Sequence, residues 1–141
     1  DINGYHHMNT EQIRYKIIGC AMEVHKTLRA GFQEVIYQRA LAIELGRAGL
    51  SYAREYEMPI HYKNEVIGER RVDFFVENAV MVELKAISTL EPVHKAQAIN
   101  YLEAFGINDG LLINFGGQSL EYHRLYNHNA VPSKPDTDKT I

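Results

Sequence analysis

The sequence predicts an α/β domain, a mixed β-sheet flanked by helices with the element order ααβββαββ. Three observations lead there. Apolar residues in the first third recur at three- and four-residue intervals, the period of a helix buried along one face. The middle of the chain switches to a two-residue alternation, the period of a strand. The run Ala79–Leu84 is almost wholly apolar, as in a central strand covered on both faces.

The elements follow in order. Residues 1–9 are polar and read as a flexible N-terminal segment. Thr10 can cap a first helix, with Glu11 well placed in its first turn. Its apolar stripe is Ile13, Ile17, Cys20, Ala21, Val24 and Leu28, so Cys20 is expected to pack as a small hydrophobe, and Gly31 ends the segment. A second helix runs from about Phe32 to Ala48 with Ile36, Ala40, Leu41 and Leu45 on its apolar face, and Glu34 and Tyr37 at the edge of that face. Tyr52 to Tyr62 alternates as a strand, and Pro59, which cannot donate to a ladder, places it at an edge. After a turn at Lys63-Asn64-Glu65 come strands at Val66–Val76 and Ala79–Leu84. A third helix starts near Glu91-Pro92 and stops at Gly106; strands at Gly110–Phe115 and Ser119–Leu125 follow. The folded domain is expected over 10–127, with 128–141 a disordered tail.

Composition sets bounds. At 141 residues the chain is one domain, and 45% hydrophobic with 23% charged residues is ordinary for a globular protein. One cysteine excludes an intrachain disulfide framework. No stretch reaches the roughly 20 apolar residues that span a bilayer, and no signal-peptide pattern opens the sequence, so a cytoplasmic location and no membrane partner are expected. A net charge of −3 does not advertise a nucleic-acid binder, although a cluster of catalytic carboxylates would itself subtract positive charge. The histidines outside the third helix show no compact zinc spacing.

The chemistry lies in the most apolar strands. Glu83 and Lys85 are two apart and project from the same face of one strand, while Asp73 stands amid Val72, Phe74, Phe75 and Val76 in the preceding one. Ionised groups in such strands are costly to bury unless paired or bound to metal. An ion pair alone would account for one such residue; three in adjoining strands point to a site. Asp73 and Glu83 can supply the carboxylates that Mg²⁺ takes, with the Leu84 carbonyl as a third oxygen. Mn²⁺ is the alternative ion. Lys85 can orient the attacking water or offset charge on the phosphoryl group. On the third helix, His94, Gln97 and Tyr101 share one face, and their hydrogen-bonding tips suit phosphate and backbone contacts. Arg39, Arg70, Arg71 and Lys95 are the basic residues that could track a phosphate backbone.

Parity adds a constraint. Opposed residues of an antiparallel pair project from one face. A two-residue turn at Glu77-Asn78 would set Asp73 opposite Val82 and send Asp73 and Glu83 to opposite faces. A three-residue connection through Ala79 sets Asp73 opposite Glu83, and a bulge would restore parity equally well. One or the other is expected. Asn78 suits the left-handed conformation such a loop needs.

These residues resemble a known family. Gly31-Phe32-Gln33-Glu34-Val35-Ile36-Tyr37 matches the motif that names the GxxExxY family, a RecB-like branch of the PD-(D/E)XK nuclease superfamily. The resemblance continues through Arg71-Val72-Asp73-Phe74, Val82-Glu83-Leu84-Lys85-Ala86, His94 to Leu102, and Leu111 to Gly116. An ExK alone is weak; five blocks in this order are specific. Leu28-Arg29-Ala30-Gly31 departs from the Leu-Gly-x-Gly turn expected at that point.

The resemblance implies a restriction-endonuclease-like fold with its active site at one sheet edge. It implies Asp73 and Glu83 as the metal-binding acids, Lys85 as the catalytic lysine and Glu34 as an extra acidic ligand. Gln97 and Tyr101 look like the accessory QxxxY pair, and Tyr37 and His94 join them as expected substrate contacts. The expected activity is metal-dependent phosphodiester hydrolysis on nucleic acid, DNA first. The rival is a non-cleaving nucleic-acid or protein-binding module on the same fold. The oligomeric state stays open, a homodimer included.

Overall fold

A computed structural model describes residues 8–129. The elements are α1 (Thr10–Leu28), α2 (Glu34–Arg47), β1 (Tyr52–Tyr62), β2 (Glu65–Val76), β3 (Val80–Lys85), α3 (Pro92–Phe105), β4 (Asp109–Asn114) and β5 (Glu121–Tyr126). The order is the expected ααβββαββ. The expected flexible start and tail fall largely on 1–7 and 130–141, outside the described residues.

The five strands lie in the order β1-β2-β3-β4-β5. β3 and β4 are parallel and joined by α3; the other neighbours are antiparallel. A parallel pair needs a crossover long enough to return the chain, and α3 supplies it. β1 is an edge strand, as Pro59 requires. Lys63 and Asn64 turn the β1–β2 hairpin with both φ positive, the primed two-residue turn whose twist matches the strands.

Two cores sandwich the sheet. On one side α1 and α2 bury Ile17, Ala21, Leu41 and Leu45 against Phe74, Val80, Val82, Leu84 and Ile113. On the other, Ala98 and Leu102 of α3 pack on Val72, Met81, Leu112 and Leu125. The expected stripe of α1 is buried except Leu28, which is half-buried, and Cys20 packs inside it. The cap of α1 is Asn9 rather than Thr10: Asn9 and Gln12 exchange side-chain-to-backbone hydrogen bonds, both 2.9 Å. In α2 the buried seam is Tyr37, Gln38, Leu41 and Leu45, rotated from the expected one, because the Tyr37 ring stacks on Phe115 at 4.8 Å and draws its own face inward.

Two irregularities shape the chemistry-bearing end. Helix α1 stops at Arg29, whose φ is 62° and ψ −178°, a conformation that favours glycine. That residue stands where the resemblance calls for glycine. The backbone pays strain there, and the Tyr37 hydroxyl holds the turn by donating to the Arg29 carbonyl while accepting from the Phe32 N–H. The second irregularity is at Asp73. Phe74 packs on the α1/α2 side, yet Val72, two residues away, packs on the α3 side. Strict alternation would put both on one face. Opposite Asp73, the β1–β2 ladder passes from Arg54↔Phe74 to Tyr56↔Val72, and Glu55 carries a positive φ of 51°.

Candidate active site

The β2–β3 hairpin sets the acids. Val76 pairs with Val80, leaving Glu77, Asn78 and Ala79 as a three-residue connection with positive φ at Glu77 and Asn78. The register continues through Phe75↔Met81 to Phe74↔Val82, so its next step would bring Asp73 opposite Glu83. This is the odd connection that parity demands. There the ladder yields to a side chain. Asp73 Oδ2 accepts the Leu84 N–H at 2.8 Å, and Oδ1 accepts from Gln38 Nε2 at 2.7 Å. The β2–β3 pairing ends at Phe74↔Val82, and the gap between the two strands beyond it, beside Asp73, is the cleft that the acids face.

Each neighbour of Asp73 has a local reason to be there. Gln38 lies one helical turn after Glu34 on α2, so both project toward the gap from the α1/α2 side. Its Oε1 accepts from Arg54 Nε at 2.8 Å, which fixes the amide's orientation. Leu84 buries its side chain, and its N–H and carbonyl both aim at β2, because the carbonyl of Lys85 is taken from the β4 side by the Phe115 N–H at 2.9 Å. The Leu84 carbonyl therefore faces the cleft.

Glu83 is the most constrained group. It is only 4% exposed. Its Oε2 meets Arg70 at 3.4 Å, while Oε1 is buried with no hydrogen-bond partner. Burial first, then the negative charge of Asp73 and a hydrogen bond shared with that acid, push its carboxyl up to about 8, against the pull of Arg70 and Lys85. Glu34 keeps an exposed side chain, yet partial desolvation of its carboxylate and the charge of Asp73 raise its pKa, with Lys85 and Arg70 opposing. Glu34 and Glu83 thus each feel the charges of Asp73, Lys85 and Arg70. Half-buried Lys85 follows Glu83 on the same face of β3, and among the described residues its ammonium makes no ion pair.

On the α3 side the Arg70 guanidinium lies 4.4 Å over the Tyr101 ring, which brings Tyr101 to the cleft. Gln97 is exposed one turn earlier. His94 is half-buried, and its Nδ1 accepts the Glu91 N–H at 2.9 Å, which caps α3. That leaves Nε2 as the protonated nitrogen of the neutral ring. Tyr37 does not reach the cleft. It is fully buried with its hydroxyl committed to the Arg29–Phe32 turn, so packing, not substrate, occupies it.

Behind the site, Asn114 braces the loop that follows Lys85. Its Oδ1 accepts from Ile87 N at 3.0 Å and Gly116 N at 3.1 Å, and its Nδ2 donates to the Ile87 carbonyl at 2.8 Å. A β-carbon at Gly116 would collide with the Ile87 backbone, so this close approach needs glycine. Sequence reading passed over Gln38, Arg54 and Asn114. The four-residue spacing from Glu34 was the signal for Gln38; nothing local marked the other two.

The donors fit a hard cation. Among the described residues no three His, Cys, Asp or Glu side chains form a ready cage. Mg²⁺ asks less: one or two carboxylates, with water and phosphate completing its shell. Asp73, Glu83 and the Leu84 carbonyl meet that need, and the partnerless Glu83 oxygen is the atom a cation would satisfy. None of the described helices is long and apolar enough to cross a membrane.

Comparison with known proteins bears on the fold and the family. A search of curated proteins returns no match. The solved structure of SSO0001 is similar at a TM-score of 0.51 and 18% identity over 70% of this chain. The aligned part is 50% of that protein's length, so the likeness speaks for the fold alone. The model of the PD-(D/E)XK nuclease superfamily matches residues 11–125, from the first turn of α1 into β5. With that match over most of its length, and two acids and a lysine on the parting strands, the chain belongs to the PD-(D/E)XK nuclease superfamily.

Proposed function

We propose that this chain is a nuclease of the GxxExxY, RecB-like branch that hydrolyses phosphodiester bonds in DNA with Mg²⁺, for which Mn²⁺ can substitute. One observation carries the reading: Glu83 is buried against a second acid, Asp73, and its Oε1 receives no hydrogen bond from any N–H group among the described residues. Without a cation the desolvated Glu83 keeps its proton beside Asp73; with one, both acids are favourable in the ionised form.

Asp73, Glu83 and the Leu84 carbonyl would hold the ion, with Glu34 as a further carboxylate at the cleft's mouth. Once bound, it supplies Lewis acidity to the phosphoryl group and to the attacking water. Gln38 and the Leu84 N–H keep Asp73 in one orientation. Lys85 orients the water and offsets charge that develops on the phosphoryl oxygens. Gln97, Tyr101 and His94 Nε2 contact the substrate backbone, and Tyr37 shapes the turn before α2 instead.

The test is incubation with single- and double-stranded DNA and RNA in Mg²⁺, Mn²⁺ or EDTA, beside Lys85→Ala. Cleavage of DNA is expected with either ion, and none in EDTA or with the variant. Metal-independent binding without nicking would make the protein a binding module.

A further inference from the structure

Arg70 and Glu83 touch but do not satisfy each other. A guanidinium has five donors in a planar fork that matches a carboxylate with two parallel hydrogen bonds. Here a single contact of 3.4 Å joins them. Arg70 Nε is buried without a partner, and so is Glu83 Oε1. The stack on Tyr101 explains the mismatch, because a guanidinium held 4.4 Å over that ring is not free to turn its fork onto the carboxylate. Two orphaned polar atoms in one part-buried contact are costly, and a bound ion or ligand is one way a native protein uses them. The two orphans ask for opposite things: Glu83 lacks a cation and Arg70 lacks an anion.

We propose that Arg70 is a phosphate contact released by the cation. Without metal one nitrogen of the guanidinium rests against Glu83. With a divalent ion on Glu83 that contact is no longer needed, and Arg70, held in place on Tyr101, offers its unpaired donors as they stand to a non-bridging oxygen of the phosphodiester in the cleft. Metal and nucleic-acid affinity are then coupled through one side chain. The inference rests on the proposed nuclease reading and adds this residue's conditional role to it.

The experiment measures duplex DNA binding against salt in the Lys85→Ala protein, so that the substrate stays intact, with Ca²⁺ or with EDTA. Adding Arg70→Gln should cut the tightening by Ca²⁺ about tenfold and lower the salt slope by about one phosphate contact in Ca²⁺ only. Arg70→Lys, which keeps the charge without the fork, should keep the slope and lose part of the affinity. Calorimetric Ca²⁺ binding should survive in both. An equal fall of the slope in EDTA would make the contact constitutive, and no change in either condition would reduce Arg70 to a counter-ion; both overturn the inference. So does loss of Ca²⁺ binding in Arg70→Lys, which would mean that Arg70 positions Glu83. If the Lys85→Ala parent binds Ca²⁺ and no DNA at all, the nuclease reading itself fails.

Discussion

Asp73 takes the backbone N–H of Leu84 at 2.8 Å, so a carboxylate stands in for a strand where the β2–β3 ladder ends. The same hydrogen bond aims Asp73 at Glu83 and leaves the Leu84 carbonyl facing the cleft. Both donors that would face a cation thus depend on where β2 leaves β3.

The first prediction concerns the cation directly. Asp73→Asn combined with Glu83→Gln should abolish Mg²⁺ or Mn²⁺ binding in a calorimetric titration. Each carboxylate is a hard ligand that its amide replaces poorly. Unchanged binding in the double variant would remove the site.

Gln38 tests the positioning of Asp73. Gln38→Leu keeps the volume roughly and deletes the 2.7 Å hydrogen bond to Oδ1. Loss of such an outer partner typically costs about 10–100-fold in metal affinity or activity. Titration with Mn²⁺ and cleavage rates should both move, while the fold, followed by circular dichroism, stays.

The pH dependence follows from Glu83. Below about pH 4.5 it is protonated in the folded and the unfolded chain alike. Between 4.5 and about 8 the unfolded chain ionises while the folded one keeps its proton. Metal-free stability therefore falls as pH rises through that window, by about 1.4 kcal/mol per pH unit. Denaturation of wild type beside Glu83→Gln should show the variant gaining on the wild type across the window and no difference near its lower end. Because the cation must displace that proton, Mg²⁺ affinity should climb with pH up to about 8 and level off.

Arg29 and Tyr37 test the turn before α2. Arg29→Gly relieves a positive φ and should raise stability by about 1 kcal/mol, a few degrees in Tm. Tyr37→Phe loses the hydroxyl that holds Arg29 and Phe32 and should cost about 1–2 kcal/mol. Its DNA affinity should not change. A selective loss of affinity at full stability would return Tyr37 to the substrate contacts.

Gln97→Ala should weaken DNA binding several-fold and leave metal affinity intact, since Gln97 is exposed on α3. Loss of metal as complete as in Glu83→Gln would contradict its place on the substrate side.

The sequence alone determined the eight elements and their order, because apolar period and turn chemistry are local properties that each segment carries within itself. It also determined that Asp73, Glu83 and Lys85 are out of place in their strands, since charge amid apolar neighbours is visible in one dimension, and parity then called for an odd-residue loop or a bulge, of which the fold has the three-residue connection at 77–79. Only the tertiary structure decided what the acids touch. Gln38, 35 positions before Asp73, meets it because α2 crosses the gap that the β2 irregularity opens, and Arg54 of β1 joins the network only through the Gln38 amide. The break at Asp73, which puts Val72 and Phe74 on opposite faces, arises from packing against both cores at once. Tyr37 shows the same division from the other side. Its motif placed it near the site, but its ring finds Phe115, 78 residues away, and a contact that distant is set by how helices pack on a sheet rather than by any spacing along the chain.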